Sequence, residues 1–65
     1  MGIINDLLKE GEMSGKTISI ITIEGPASYK NTGKIIKLED EEVLIEKENG
    51  RKMGIKIKSI VKVEE

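Results

Sequence analysis

The feature that most constrains this chain is the Asn49-Gly50 pair, set between two strand-favouring runs within residues 33–63. Asn-Gly supplies the positive-φ residues of a two-residue type I′ turn, which makes it the strongest short-range signal for a β-hairpin. A turn there sets Glu48 opposite Arg51, Lys47 opposite Lys52, Glu46 opposite Met53, Ile45 opposite Gly54, Leu44 opposite Ile55 and Val43 opposite Lys56. Leu44, Met53, Ile55 and Ile57 then share one face, with Val43 and Ile45 beside Lys47, Lys52, Lys56 and Lys58 on the other. A ribbon with apolar side chains on both faces needs a second covering layer.

Composition agrees with sheet. Twelve isoleucines, three valines and three threonines stand against one aromatic residue, Tyr29, and β-branched side chains fit a pleated strand better than a helix. A 65-residue chain reads as one domain, and one this short buries only roughly 60% of its unfolded surface. With no cysteine and no histidine, neither disulfides nor a zinc site can staple it, which leaves self-association as the ordinary remedy. The 11 basic and 12 acidic residues give a net charge of −1, so there is no global attraction to nucleic acid and any basic surface is local. No 18-residue apolar run, signal-peptide pattern or lipidation motif is evident, and the default address is the cytoplasm.

Along the chain, Ile3, Ile4, Leu7 and Leu8 recur at helical spacing and Gly11 is a natural stop, so residues 2–10 read as a short amphipathic helix. Alone it would melt, so it must lie on an apolar surface. Residues 17–24 form a strand whose apolar phase slips from Ile18 and Ile20 to Ile21 and Ile23, which predicts a bulge near Ile20-Ile21. Gly25-Pro26 ends that strand, and a loop holding Ser28, Tyr29, Lys30 and Asn31 runs to Thr32. Further strands are expected over 33–39, 43–48, 51–58 and 60–63. Five short bent strands under one helix make a mainly β, small antiparallel barrel, closed or half-closed.

Chemical motifs are sparse. Ser14-Gly15-Lys16-Thr17 has the end of a phosphate loop, but position 10 is Glu10 rather than glycine, and a helix precedes where a strand is required. Glu39-Asp40-Glu41-Glu42 lacks the spacing of a cation-binding loop and reads as a solvated turn. Without histidine or cysteine, and with no base paired to a serine, neither catalysis nor a metal or cofactor is expected. Tyr29 is either a stacking residue or a ring over the barrel mouth.

The element order resembles the Sm-like family (LSm/Hfq-type), RNA-binding small barrels with an N-terminal helix and five bent strands. Gly25 and Gly33 stand in for the two glycines of the family's first motif, Glu39 falls at its aspartate, and Glu42 takes the place of its asparagine. The second motif, Ile-Arg-Gly-x-x-Ile, aligns with Ile55-Lys56-Ile57-Lys58-Ser59-Ile60, with lysine for arginine and Ile57 for glycine. The resemblance implies a homo-oligomer, joined by strand addition between subunits, that binds RNA. Lys56 is then the first candidate contact, followed by Lys58 and Arg51, with Tyr29 as a stacking partner. Carboxylates at Asp40, Glu41 and Glu42 oppose this, since each close pair with a phosphate costs about 1 kcal/mol even in water. The alternative is a protein-interaction or assembly barrel with no nucleic-acid role, using an exposed strand edge.

Overall fold

The computed structural model describes residues 2–65. A helix α1 (Ile3–Ser14) is followed by strands β1 (Thr17–Glu24), β2 (Ala27–Leu38), β3 (Glu42–Glu46) and β4 (Lys52–Lys56), a 3-10 turn (Ile57–Ser59) and β5 (Ile60–Glu64). All five strands pair antiparallel in one sheet, in the order β4-β3-β2-β1-β5. Among the described residues no ladder joins β4 to β5, so the sheet is open along that seam.

Chain continuity nevertheless forces the sheet to curl. Four interstrand spacings of about 4.8 Å would hold the outer strands of a flat sheet about 19 Å apart. The four steps from Lys56 to Ile60 reach at most about 14 Å fully extended, and a 3-10 turn reaches less. Two irregularities help the bend. Register jumps leave Ile36 of β2 without a partner on β3, and Val61 of β5 without one on β1, and such bulges increase local twist.

The inner face collects Ile18, Ile20, Ile35, Val43, Ile45, Ile55 and Ile60, all buried, and α1 adds the fully buried Leu8. The helix runs past Gly11 to Ser14 and ends at Gly15, whose N–H donates to the Gly11 carbonyl at 3.0 Å. Gly11 is therefore a packing position and not the expected stop: a Cβ there would stand 3.1 Å from Ile35 Cδ1.

Three further expectations are corrected. Pro26 to Thr32 is not a loop: apart from the two-residue turn Gly25-Pro26, the segment is strand, with Tyr29 opposite Thr22 and Thr32 opposite Ser19. Gly25 at φ 59 followed by proline, whose ring fixes a negative φ, gives a type II′ turn. An intact β1 template then outweighs weak local propensity, because cross-strand pairs such as the Ser19–Thr32 hydroxyl bond of 2.8 Å decide sheet formation. The apolar phase of β1 does not slip either, because Thr22 fills the third inner position after Ile18 and Ile20, leaving Ile21 and Ile23 outside; an irregularity does fall close to the expected bulge, between Ile21 and Thr22 in the pairing with β5.

The third correction concerns the β3–β4 hairpin. Its register lies one residue from that of a type I′ turn, with Val43 opposite Ile55, Leu44 opposite Gly54 and Ile45 opposite Met53. Lys47 N–H donates to the Arg51 carbonyl at 2.8 Å, and Gly50 N–H returns to the Lys47 carbonyl at 2.8 Å. Gly50, at φ 85, is left-handed and Asn49 is not; the Asn49 Oδ1 instead accepts from Arg51 N–H at 3.0 Å. This is a three-residue loop with a left-handed glycine. The one-residue shift unites Val43, Ile45, Met53 and Ile55 on the inner face, because side-chain period is two.

Gly33 marks the tightest backbone approach: a Cβ there would lie 2.5 Å from the Glu46 carbonyl oxygen. Backbone cannot rotate away as a side chain can, so Gly33→Ala is expected to cost about 1–3 kcal/mol. Urea unfolding should show a lowered midpoint with an unchanged slope; a midpoint equal to that of the native protein would contradict the packing described.

Candidate functional site

β4 is one of the two edge strands of the sheet, and its outer side pairs with no strand among the described residues. The Lys47–Arg51 bond and the Ile57 N–H to Glu41 carbonyl bond of 3.0 Å bracket the β3–β4 ladder. Antiparallel alternation between them turns the backbone groups of Met53 and Ile55 toward β3 and those of Lys52, Gly54 and Lys56 outward.

A groove of about 560 Å³ lies along this edge. Met53, Gly54, Ile55 and Lys56 line it from β4, Thr22, Glu24, Tyr29 and Asn31 from the β1–β2 hairpin, and Lys58 and Ser59 from the 3-10 turn. A second groove of about 570 Å³ is lined by Asp40, Glu41, Glu42, Lys56, Ile57 and Lys58. Glu42 borders both, its carboxylate lying across Gly54, where a Cβ would stand 2.7 Å from Oε2.

Of the residues nominated from sequence, Lys56 and Lys58 line both grooves and Tyr29, 52% exposed, lines the first. Arg51 lies apart. It closes the base of the hairpin loop, five residues from Lys56, about 17 Å along an extended strand. Lys56 and Lys58 take part in no ion pair among the described residues. Four carboxylates, Glu24, Asp40, Glu41 and Glu42, line the two grooves against these two ammonium groups. Thr22, Asn31 and Ser59 also line the first groove and went unnominated. The signal for Asn31 lay in the alternation Tyr29-x-Asn31, readable only once residues 27–38 are recognised as strand.

On the outer face, directly opposed side chains alternate in charge across three strands: Lys34 of β2, Glu46 of β3, Lys52 of β4. Lys56 likewise stands opposite Glu42. At the other end of the sheet, Glu64 meets Lys62 at 3.1 Å and Lys30 at 3.6 Å. The hydrogen bond from Lys62 and its charge, with a smaller contribution from Lys30, hold the Glu64 carboxyl below the ordinary glutamate range.

Among the described residues no cluster of three or more carboxylate, histidine or cysteine side chains is placed to hold a metal ion, and no helix is long and apolar enough to cross a membrane. Compared with protein-family models, curated proteins and solved structures, the chain matches none.

The Glu64 cluster has a defined pH signature. A carboxyl whose folded pKa is depressed adds stability that is present above its unfolded pKa and is lost as pH falls through the folded value. In a carbon-detected NMR titration Glu64 should therefore ionise below the ordinary glutamate range, and Lys62→Met should move its titration upward. Equal midpoints for Glu64 in the native and Lys62→Met proteins would refute the assignment.

Proposed function

We propose that the protein is a non-catalytic assembly module that accepts an extended polypeptide strand along the free edge of β4. The observation that carries this reading is the outward-facing backbone of Lys52, Gly54 and Lys56 beside the groove lined by Met53, Thr22 and Tyr29. An added strand satisfies the edge groups by main-chain hydrogen bonds, and its alternate side chains enter the groove, the two ingredients of β-augmentation. Occupation of the edge also removes a template for uncontrolled pairing. Cytoplasmic placement remains part of this proposal.

Selection from a displayed library of eight-residue peptides tests it. Recovered binders should be rich in β-formers and should slow hydrogen exchange at the Gly54 and Lys56 amides, leaving those of Met53 and Ile55 as they were. Binders that protect only α1 would overturn the reading.

A second reading, an Sm-like RNA-binding homo-oligomer, draws support from Tyr29, Lys56 and Lys58 lining one groove and from the order of one helix and five strands. Lysine phosphate contacts with one aromatic stacking partner suit a single strand. The four carboxylates at the same grooves weigh against it. Under this reading, affinity for a single-stranded RNA falls steeply with salt and Lys56→Glu weakens it further without unfolding the protein. Absence of binding at low ionic strength removes it.

A further inference from the structure

We infer that the strand taken up by β4 is an acidic one, from another protein: an extended segment with carboxylates at positions i and i+4 and apolar side chains at i+1 and i+3. The inference rests on the strand-addition reading above and names the partner's chemistry.

Lys34, Glu46 and Lys52 stand directly opposite one another on three neighbouring strands, and Glu42 stands opposite Lys56. Each β4 lysine thus faces one carboxylate on β3, while its other flank is open because β4 is the last strand of the sheet. A strand on that flank continues the alternation only if it sets a carboxylate beside Lys52 and another beside Lys56. Those lysines are four residues apart, so the incoming acids are also four apart. Side-chain period two then sends positions i+1 and i+3 to the other face, toward the groove side where Met53 and Ile55 lie. Position i+2 sits beside Gly54, where the Glu42 carboxylate already occupies space, so a small residue fits there.

Among the chain's own strands only β3 carries carboxylates at i and i+4, Glu42 and Glu46, and both of its sides are already taken by β2 and β4; the edge strands fit poorly. Two copies of β4 paired antiparallel about Gly54 would set Lys52 of each against Lys56 of the other, and directly opposed like charges destabilise a sheet. The other edge strand, β5, offers Lys62 and Glu64 on its outer face, one cation and one carboxylate two residues apart. Neither supplies acids at i and i+4.

Two peptides decide the matter: one with the core Glu-Val-Thr-Ile-Glu, and its counterpart Lys-Val-Thr-Ile-Lys, each titrated into the native protein and followed by amide shifts and hydrogen exchange. The acidic peptide should bind about tenfold more tightly at low salt, since opposite-charge and like-charge cross-strand pairs differ by that order when two are summed. It should protect the Gly54 and Lys56 amides. In a protein carrying both Lys52→Glu and Lys56→Glu, with its dispersed spectrum confirming the fold, the preference should reverse.

Equal affinity of the two peptides, with protection at Gly54 and Lys56, overturns the acidic specificity and leaves strand addition standing. No protection of those amides by either peptide overturns both. Concentration-dependent protection of the same amides in the native protein without peptide identifies a second copy as occupant and overturns the assignment to another protein. Displacement of the acidic peptide by single-stranded RNA, with Lys56 shifts in common, overturns it in favour of nucleic acid.

Discussion

The rest of this structure depends on a single constraint of connectivity: the two outermost strands of a five-stranded sheet, β4 and β5, are joined by one 3-10 turn. A flat sheet cannot meet that demand, so the ladder curls and one face becomes the inside of a trough. Six of the twelve isoleucines are buried inside it. The trough is covered by α1 through Leu8, and α1 can approach because Gly11 lacks a side chain that would meet Ile35. The same curl stops short of pairing β4 with β5, and that shortfall creates the free edge and the groove beside it. Core and candidate site therefore share one cause.

A domain this small has little spare stability, on the order of 3–10 kcal/mol at ordinary values per residue. Its inner face is built almost wholly from β-branched side chains, which lose little rotamer freedom in strands. Thr22 is β-branched too but is the buried polar member among the described residues, 4% exposed at a position an isoleucine would fill. It sits where the apolar interior opens into the groove, so a side chain that is half methyl and half hydroxyl suits both neighbours.

Much of this was legible in the sequence. The β-branched composition and the turn residues announced an antiparallel sheet, and the spacing of Ile4 and Leu8 announced a helix lying on it. Lys56 and Lys58 were nominated by position in a motif, and they do line a groove, as does Tyr29. What stayed hidden were matters of register. Asn49-Gly50 permits more than one turn, and the choice between them moves every side chain of β4 by one place. Local residues cannot make that choice. It is made by the gain from setting Val43, Ile45, Met53 and Ile55 on one face, a sum over the whole hairpin. Residues 27–32 were likewise hidden, since Pro26, Ser28 and Asn31 look like loop until the β1 partner is in place. Arg51 was nominated for its place at the hairpin, and that place lies apart from the groove lined by Lys56 and Lys58.

Lysines on an edge strand are commonly read as protection against sheet-to-sheet stacking. On β4 that protection has a direction. Lys52 and Lys56 flank Gly54 symmetrically, so the arrangement opposes the antiparallel self-pairing that would otherwise be easiest for an open edge. The repulsion is between like charges and vanishes when the incoming strand is acidic. Deterrence of the wrong partner and recruitment of the right one are then the same electrostatic fact seen from two sides. The spacing of the cationic row is set by the backbone ladder of β4 on β3, before any partner arrives. An edge with fixed charge spacing and a fixed backbone pattern can discriminate among strands by the positions of their carboxylates, even though the surrounding surface carries almost no net charge.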